Sequence, residues 1–278
     1  MEIVEITSGN IGDYLPLSKS DVSENVGRLC YKGLMALCDD KAVGAIFWKY
    51  LNKAATGISK EIVFFDADKE EYAAALLKVH DIKTKDDGVV FACFEMDDIP
   101  DNVLEPLKDA GFTITVRESR DIIYTVGDLE NIKLPDSDIS ADVVDLKDIS
   151  DGGYWYGTSL SLYNHITGLM NDLDTIDRSF FDEDISCCIR TGKWITGMFL
   201  IHRLPCQSLI PCLLSFHGDE HTKNLICMIR HAVMNVAGKY PKDTKFIIRR
   251  HSEATVKITN RLFPGKKGRN INFGGRRF

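Results

Sequence analysis

Residues 60–78 read KEIVFFDADKEEYAAALLK. The front half, rich in β-branched and aromatic residues, is strand-like. The back half and its continuation set Tyr72, Ala75, Leu76 and Val79 at helical spacing, with Asp68 as the expected N-cap. Residues 209–233, LIPCLLSFHGDEHTKNLICMIRHAV, repeat that order, with Leu225, Ile229, Ala232 and Val236 on one helix face. Outward from each lies similar material. Upstream, the breaks at Asp39-Asp40-Lys41 and Thr191-Gly192-Lys193 suit hairpin turns between two strand runs. Downstream of the first, VVFACFEM (89–96) is a continuous apolar run of the kind a doubly buried strand needs. A short helix follows, capped by Asp101, striped by Val103, Leu104 and Leu107 and stopped at Gly111. Pro106 counts against it, since mid-helix proline costs about 3 kcal/mol. TITVRESRDIIYTV (113–126) closes the first half as strand, while KFIIRR, a helix ending at Pro264-Gly265 and RNINF complete the second.

A hairpin pair, a strand, a helix, a strand, a helix and a strand thus occur twice, a structural duplication with little residue identity. The segment 130–153, ENIKLPDSDISADVVDLKDISDGG, has linker composition, which predicts domains at 1–137 and 138–278.

The chain has 278 residues, 44% hydrophobic and 27% charged, values of an ordinary globular protein. No apolar run reaches the ~20 residues of a bilayer span, so no membrane partner is expected. Glu2 and Glu5 stand where a secretion signal would be basic, and a cytoplasmic location is expected. The eight cysteines sit mostly in apolar runs without framework spacing, which predicts reduced thiols. Residues 1–150 hold 16 Lys+Arg and 30 Asp+Glu, and residues 151–278 hold 18 and 11. Net charges of −14 and +7 suggest two domains that attract and pack on each other, or two surfaces with different partners.

The order of elements in KAVGAIFW–KEIVFFDADKEEYAAALLK–VVFACFEM–NVLEPLKDAGF, and in KWITGMFL–LIPCLLSFHGDEHTKNLICMIRHAV–KFIIRR–ATVKITNRLF, resembles the acyl-CoA N-acyltransferases of the GNAT superfamily, in two tandem copies. The resemblance implies an α/β (α+β) fold, two GNAT-like units with mixed, mostly antiparallel central sheets flanked by helices. It implies acetyl-CoA or another acyl-CoA as cosubstrate, no metal, and transfer of an acyl group to an amine of a small molecule or peptide. In the family, strand 5 splays from strand 4 to open the acyl-CoA cleft, and an Arg/Gln-x-x-Gly-x-Gly/Ala loop brings backbone N–H groups onto the pyrophosphate. The first copy has Asp66-Ala67-Asp68-Lys69-Glu70-Glu71 there, without glycine and with four acids that repel a pyrophosphate. The second has Phe216-His217-Gly218-Asp219-Glu220-His221-Thr222-Lys223, with Gly218 on a motif glycine. Phe216, His217, Gly218 and Lys223 are therefore the cofactor-binding candidates, and activity is expected in the second copy.

The family's usual strand-4 Glu and late-helix Tyr do not carry over: Glu61 begins the strand in the first copy, the second has none, and neither helix holds a Tyr. Ser252 and Glu253, beside His251, are substitute catalytic candidates, against a plainer reading as helix cap and dipole partner. Tyr154, Trp155 and Tyr156 suit either a substrate wall or a packing cluster. His217-x-x-Glu220-His221 matches a zinc-hydrolase pattern, a remote alternative. From Lys242 onward, eleven Lys+Arg face Asp243 and Glu253; they offer charge to a CoA phosphate or another anion, but no nucleic-acid module accompanies them and no such partner is expected. The main alternative to the enzyme is a non-catalytic GNAT-like binding or regulatory module.

Overall fold

The computed structural model describes every residue except 55, 56, 133, 135–141, 164–171, 220, 251 and 252, and the side chains of 52–54, 57, 221 and 254. The chain forms two compact units, one of Met1–Ser119 with Arg269–Phe278, the other of Arg120–Gly268.

The first unit runs β1 (Glu2–Glu5), α1 (Leu15–Ser18), β2 (Tyr31–Cys38), β3 (Lys41–Ala54), β4 (Gly57–Ala67), α2 (Glu70–Asp86), β5 (Val89–Met96), α3 (Asp101–Asp109) and β6 (Thr113–Glu118). The second runs β7 (Asp121–Thr125), α4 (Val126–Leu129), β8 (Val143–Asp145), α5 (Asp151–Tyr163), β9 (Cys187–Thr191), β10 (Trp194–Arg203), β11 (Leu209–Phe216), α6 (His221–Lys239), β12 (Lys245–Arg249) and α7 (Glu253–Leu262). The last strand, β13 (Asn270–Arg277), returns to the first unit. The sheets are ordered β1-β2-β3-β4-β5-β13-β6 and β7-β12-β11-β10-β9-β8. All pairings are antiparallel except β4 with β5 and β11 with β12.

Period-2 alternation builds two cores on each sheet. In β10, Phe199 and Ile201 join the α6-side core, while Met198 and Leu200 join the α5-side core. In the first unit, Ile62 and Phe65 pack under α2 and α3 with Leu76, Phe94 and Leu107, and Phe47 packs on the other face with Tyr14 and Leu17.

Four expectations change. The run 113–126 is two strands in different sheets: β6 edges the first, and β7 pairs with β12 in the second. RNINF does not finish the second sheet but lies between β5 and β6. The division is therefore at 119/120 and 268/269 instead of 137/138, and the segment read as linker supplies β8, which pairs with β9. Local pattern identifies a strand but carries no information on which sheet receives it. Counted by unit, the first holds 16 Lys+Arg and 22 Asp+Glu and the second 18 and 19, so net charges are −6 and −1. The opposite-sign asymmetry disappears because acids between 121 and 148 belong to the second unit and three arginines after 268 to the first.

At smaller scale, α2 is capped by Lys69 instead of Asp68, whose N–H extends the β-ladder to the Val43 carbonyl. Pro100 precedes α3, and Pro106 lies inside it, buried beside Val103 and Leu107, so core packing keeps this short helix despite the missing backbone donor. The eight cysteines are thiols and form no disulfide, and burial pushes the pKa of Cys93 and Cys188 up to about 12.

Candidate functional site

Among the described residues each unit contains one parallel strand pair, and each pair separates. In the first unit, β4 and β5 are paired from Ile58/Val89 to Ile62/Phe94; β4 then continues through residues 63–67 beside β3 alone. In the second, β11 and β12 pair only at Leu209/Phe246, and residues 210–216 continue beside β10 alone. At about 3.3 Å per residue the free edges are roughly 16 and 23 Å long. Among the described residues no strand pairs with either edge.

Register shows that these are copies of one device. Gly44 faces Ala67 in the first unit, and Gly197 faces Phe216 in the second. An added Cβ would lie 2.9 Å from the Ala67 Cβ or 2.8 Å from the Phe216 ring, so both sites need the missing side chain. Three residues along, β4 bulges at Val63 and β11 at Cys212. The ladder ends alike: Asp68 N–H donates to Val43 O (2.8 Å) and His217 N–H to Thr196 O (2.7 Å). Pro211 favours the earlier separation in the second unit. Ile201, opposite it, donates to Ser186 Oγ and accepts from Asp182 N on the β9 side, so Pro211's missing N–H falls on the β12 side.

Beyond the bulges the two slots differ. The first passes from β4 to α2 through Asp68 and Lys69 alone, with Glu70 and Glu71 in the first helical turn. Asn102 of α3 spans it, donating to the carbonyls of Ala67 (3.2 Å) and Asp68 (2.9 Å). The second has a four-residue connection, 217–220, in which Gly218 adopts φ +138°, and α6 has no acid in its first turn. Asn224 Nδ2 donates to the Asp219 carbonyl and ties the loop to the helix.

The walls carry matching polar pairs. Asp66 on β4 accepts from the Tyr14 hydroxyl (2.9 Å), and Ser215 on β11 shares a hydrogen bond with Ser161 of α5 (2.8 Å). Burial, then the Asp66 carboxylate, holds the Tyr14 hydroxyl well above its usual range. Helix α6 is fixed along one stripe. His231 Nε2 lies 2.6 Å from Asp145 Oδ1, Asn235 donates to the same oxygen (2.8 Å), and Lys239 donates to Asp182 (2.7 Å) and Asp184 (2.8 Å). These i, i+4, i+8 contacts set where the helix N-terminus points.

Of the predicted residues, Phe216 is core: its ring fills the space left by Gly197 and packs with Met228. His217 extends the sheet, Gly218 makes the turn, and Lys223 is exposed in the first turn of α6. Ser252 and His251 lie outside the described residues; Glu253 opens α7, exposed, 4.0 Å from Lys257. Glu61 is paired with Lys49 at 2.7 Å. Tyr154 is buried with its hydroxyl on the Ile176 carbonyl, whereas Trp155 and Tyr156 are exposed, Tyr156 against Trp194. The zinc pattern is corrected: α6 begins at His221 after Gly218, so His217 and His221 are not one turn apart on a helix. Glu220 and the His221 side chain lie outside the described residues, among which no group of three metal-ligating side chains occurs. Several of the late basic residues are already matched: Lys242 with Glu130, Arg249 with Asp121, Lys266 with Asp128, Arg269 with Asp97 and Arg276 with Asp81.

Residue-by-residue reading passed over Gly44 and Gly197, the Asp66–Tyr14 and Ser215–Ser161 pairs, Pro211 and Asn102. Aligning the two copies on VGAIF and TGMFL would have paired the glycines. The polar pairs join segments 52 and 54 residues apart and leave no local signal.

A splayed parallel pair with a helix at its mouth, built twice, defines the tandem GNAT fold. The chain superposes on a tandem GNAT protein from the clavulanic acid biosynthesis pathway (without AcCoA) with TM-score 0.60 at 8% identity, over 99% of this chain and 98% of that one. It superposes on a GCN5-related N-acetyltransferase from Kribbella flavida with TM-score 0.53 at 13% identity, over 99% and 71%. A conserved protein of unknown function from Enterococcus faecalis V583, described as a probable N-acyltransferase, gives TM-score 0.53 at 11% identity, over 99% and 72%. No family model and no curated protein matches the sequence.

Proposed function

We propose that the second unit binds an acyl-CoA, acetyl-CoA in the first instance, in the slot between β11 and β12 and transfers the acyl group to an amine. One observation carries this reading: seven residues of free β11 edge lead into a glycine-containing loop at the start of an acid-free helix turn. An extended chain bearing amides can add to a free strand edge, and a pyrophosphate suits backbone N–H groups at a helix N-terminus. Gly218 would let the backbone approach the phosphates, with Lys223 nearby in sequence supplying charge. In the transfer the amine nitrogen bonds to the acyl carbon, the C–S bond breaks, the amine loses a proton and the CoA sulfur gains one. The first unit, bridged by Asn102 and lined by acids, serves as scaffold.

A second reading, acyl-CoA binding without turnover, also has an observation in its favour: β11 carries no carboxylate, histidine or tyrosine, and Ser215 stands where the first unit has Asp66.

Calorimetric titration of the full chain with acetyl-CoA, followed by a free-thiol assay with a panel of primary amines, separates them. Heat with amine-dependent thiol release supports the transferase. Heat alone supports the binding module. No heat and no melting shift at millimolar acetyl-CoA overturns both.

A further inference from the structure

Strand β13 follows the second unit in sequence and fills the first unit's sheet, antiparallel to both β5 and β6. Backbone pairing alone does not hold its register, since a two-residue slip restores every ladder bond. Register must come from side chains. Asn272 Nδ2 reaches the Asp97 carbonyl at 2.8 Å, Phe273 lies under the Arg117 guanidinium, and Gly274 leaves room for the Phe94 ring. Arg276 does most. Its side chain, 11% exposed, donates to both carboxylate oxygens of Asp81 on α2 and to the Ala110 carbonyl after α3. The rings of Phe112 and Phe278 flank its guanidinium.

We propose that the Asp81–Arg276 pair is the clasp that retains β13 between β5 and β6 and helps set its register, a conformational device independent of the acyl-transfer reading. Slipping β13 by two residues would set Gly274 or Phe278 opposite Asp81, leaving a half-buried carboxylate without its cation. A one-residue slip would turn Arg276 to the other face of the sheet. Opening the clasp would free β13 and expose the facing edges of β5 and β6.

Hydrogen exchange by mass spectrometry on the full chain tests this with Asp81→Asn and Arg276→Lys. In Asp81→Asn, amides of β13 and of the β5 and β6 residues paired to it should exchange at least tenfold faster, with β10 and β11 unchanged. Arg276→Lys, which keeps the charge but loses the two-pronged contact, should give a smaller change in the same segments. Unchanged β13 protection in both variants, or equal acceleration in both units, overturns the clasp. Should Asp81→Asn fail to fold, Arg276→Lys decides by the same criterion.

Discussion

Replacing Gly218 by Val probes the second slot most directly. A Cβ at this position would touch the Phe216 ring at 3.4 Å, an ordinary contact, so the branch point itself fits. The cost is conformational: at φ +138° a β-branched residue is strained by about 1–3 kcal/mol. If the loop must hold this shape to place its N–H groups on a pyrophosphate, that strain appears in binding as a weakening of about 5- to 150-fold in Kd. The assay is calorimetric titration of wild type and Gly218→Val with acetyl-CoA. Gly265→Val is the control, because Gly265 also has positive φ (+83°) with open space around it but lies beyond α7. It should lose stability and keep its affinity. Equal Kd for wild type and Gly218→Val would refute the loop's role.

Gly274→Ala should destabilise the first unit by about 1–3 kcal/mol, since the new methyl overlaps the Phe94 ring; urea unfolding followed by Trp48 fluorescence reads it. Asp145→Ala removes the acceptor shared by His231 and Asn235 and should cost about 1–3 kcal/mol, measured as a lower urea midpoint of the second unit. Stability of the first unit should fall on acidification. His80 is fully buried against Trp48, with Lys60, Asp81 and Arg276 as its charged surroundings, and burial holds its pKa below the usual 6.5. The unfolded chain therefore binds the proton first, so stability present above about pH 6.5 is lost as pH drops towards the folded-state value. His80→Gln should flatten that dependence in urea midpoints measured between pH 7.5 and 5; an unchanged slope would exclude His80 as its source.

Much of the fold was legible because each half writes its elements locally. KEIVFFDA followed by a helical stripe, and LIPCLLSF followed by another, became β4–α2 and β11–α6. The contrast between the loops was legible too, since the absence of glycine at 66–71 and its presence at 218 are matters of composition. What the slots contain was not. The ring of Phe216, a cofactor candidate by sequence, packs in the core because Gly197, on the neighbouring strand, lacks a side chain. Asn102 lies on α3 as the pattern predicts, but the pattern does not show that its side chain reaches the carbonyls of Ala67 and Asp68. Such contacts join residues distant in sequence and follow no periodicity.

Residue order alone determined that this chain is a duplicated strand–helix protein with one acidic and one glycine-containing turn, because hydrophobic period and turn chemistry act over a few residues. Tertiary structure alone decided where the units divide, which strand completes which sheet, and how far β11 runs free of β12. Strand pairing is not written in the strand itself: neither DIIYT (β7) nor NINFGGRR (β13) names its partner, and contacts made only in the folded sheet, such as Arg276 with Asp81 and Gly274 under the Phe94 ring, supply what the local pattern lacks.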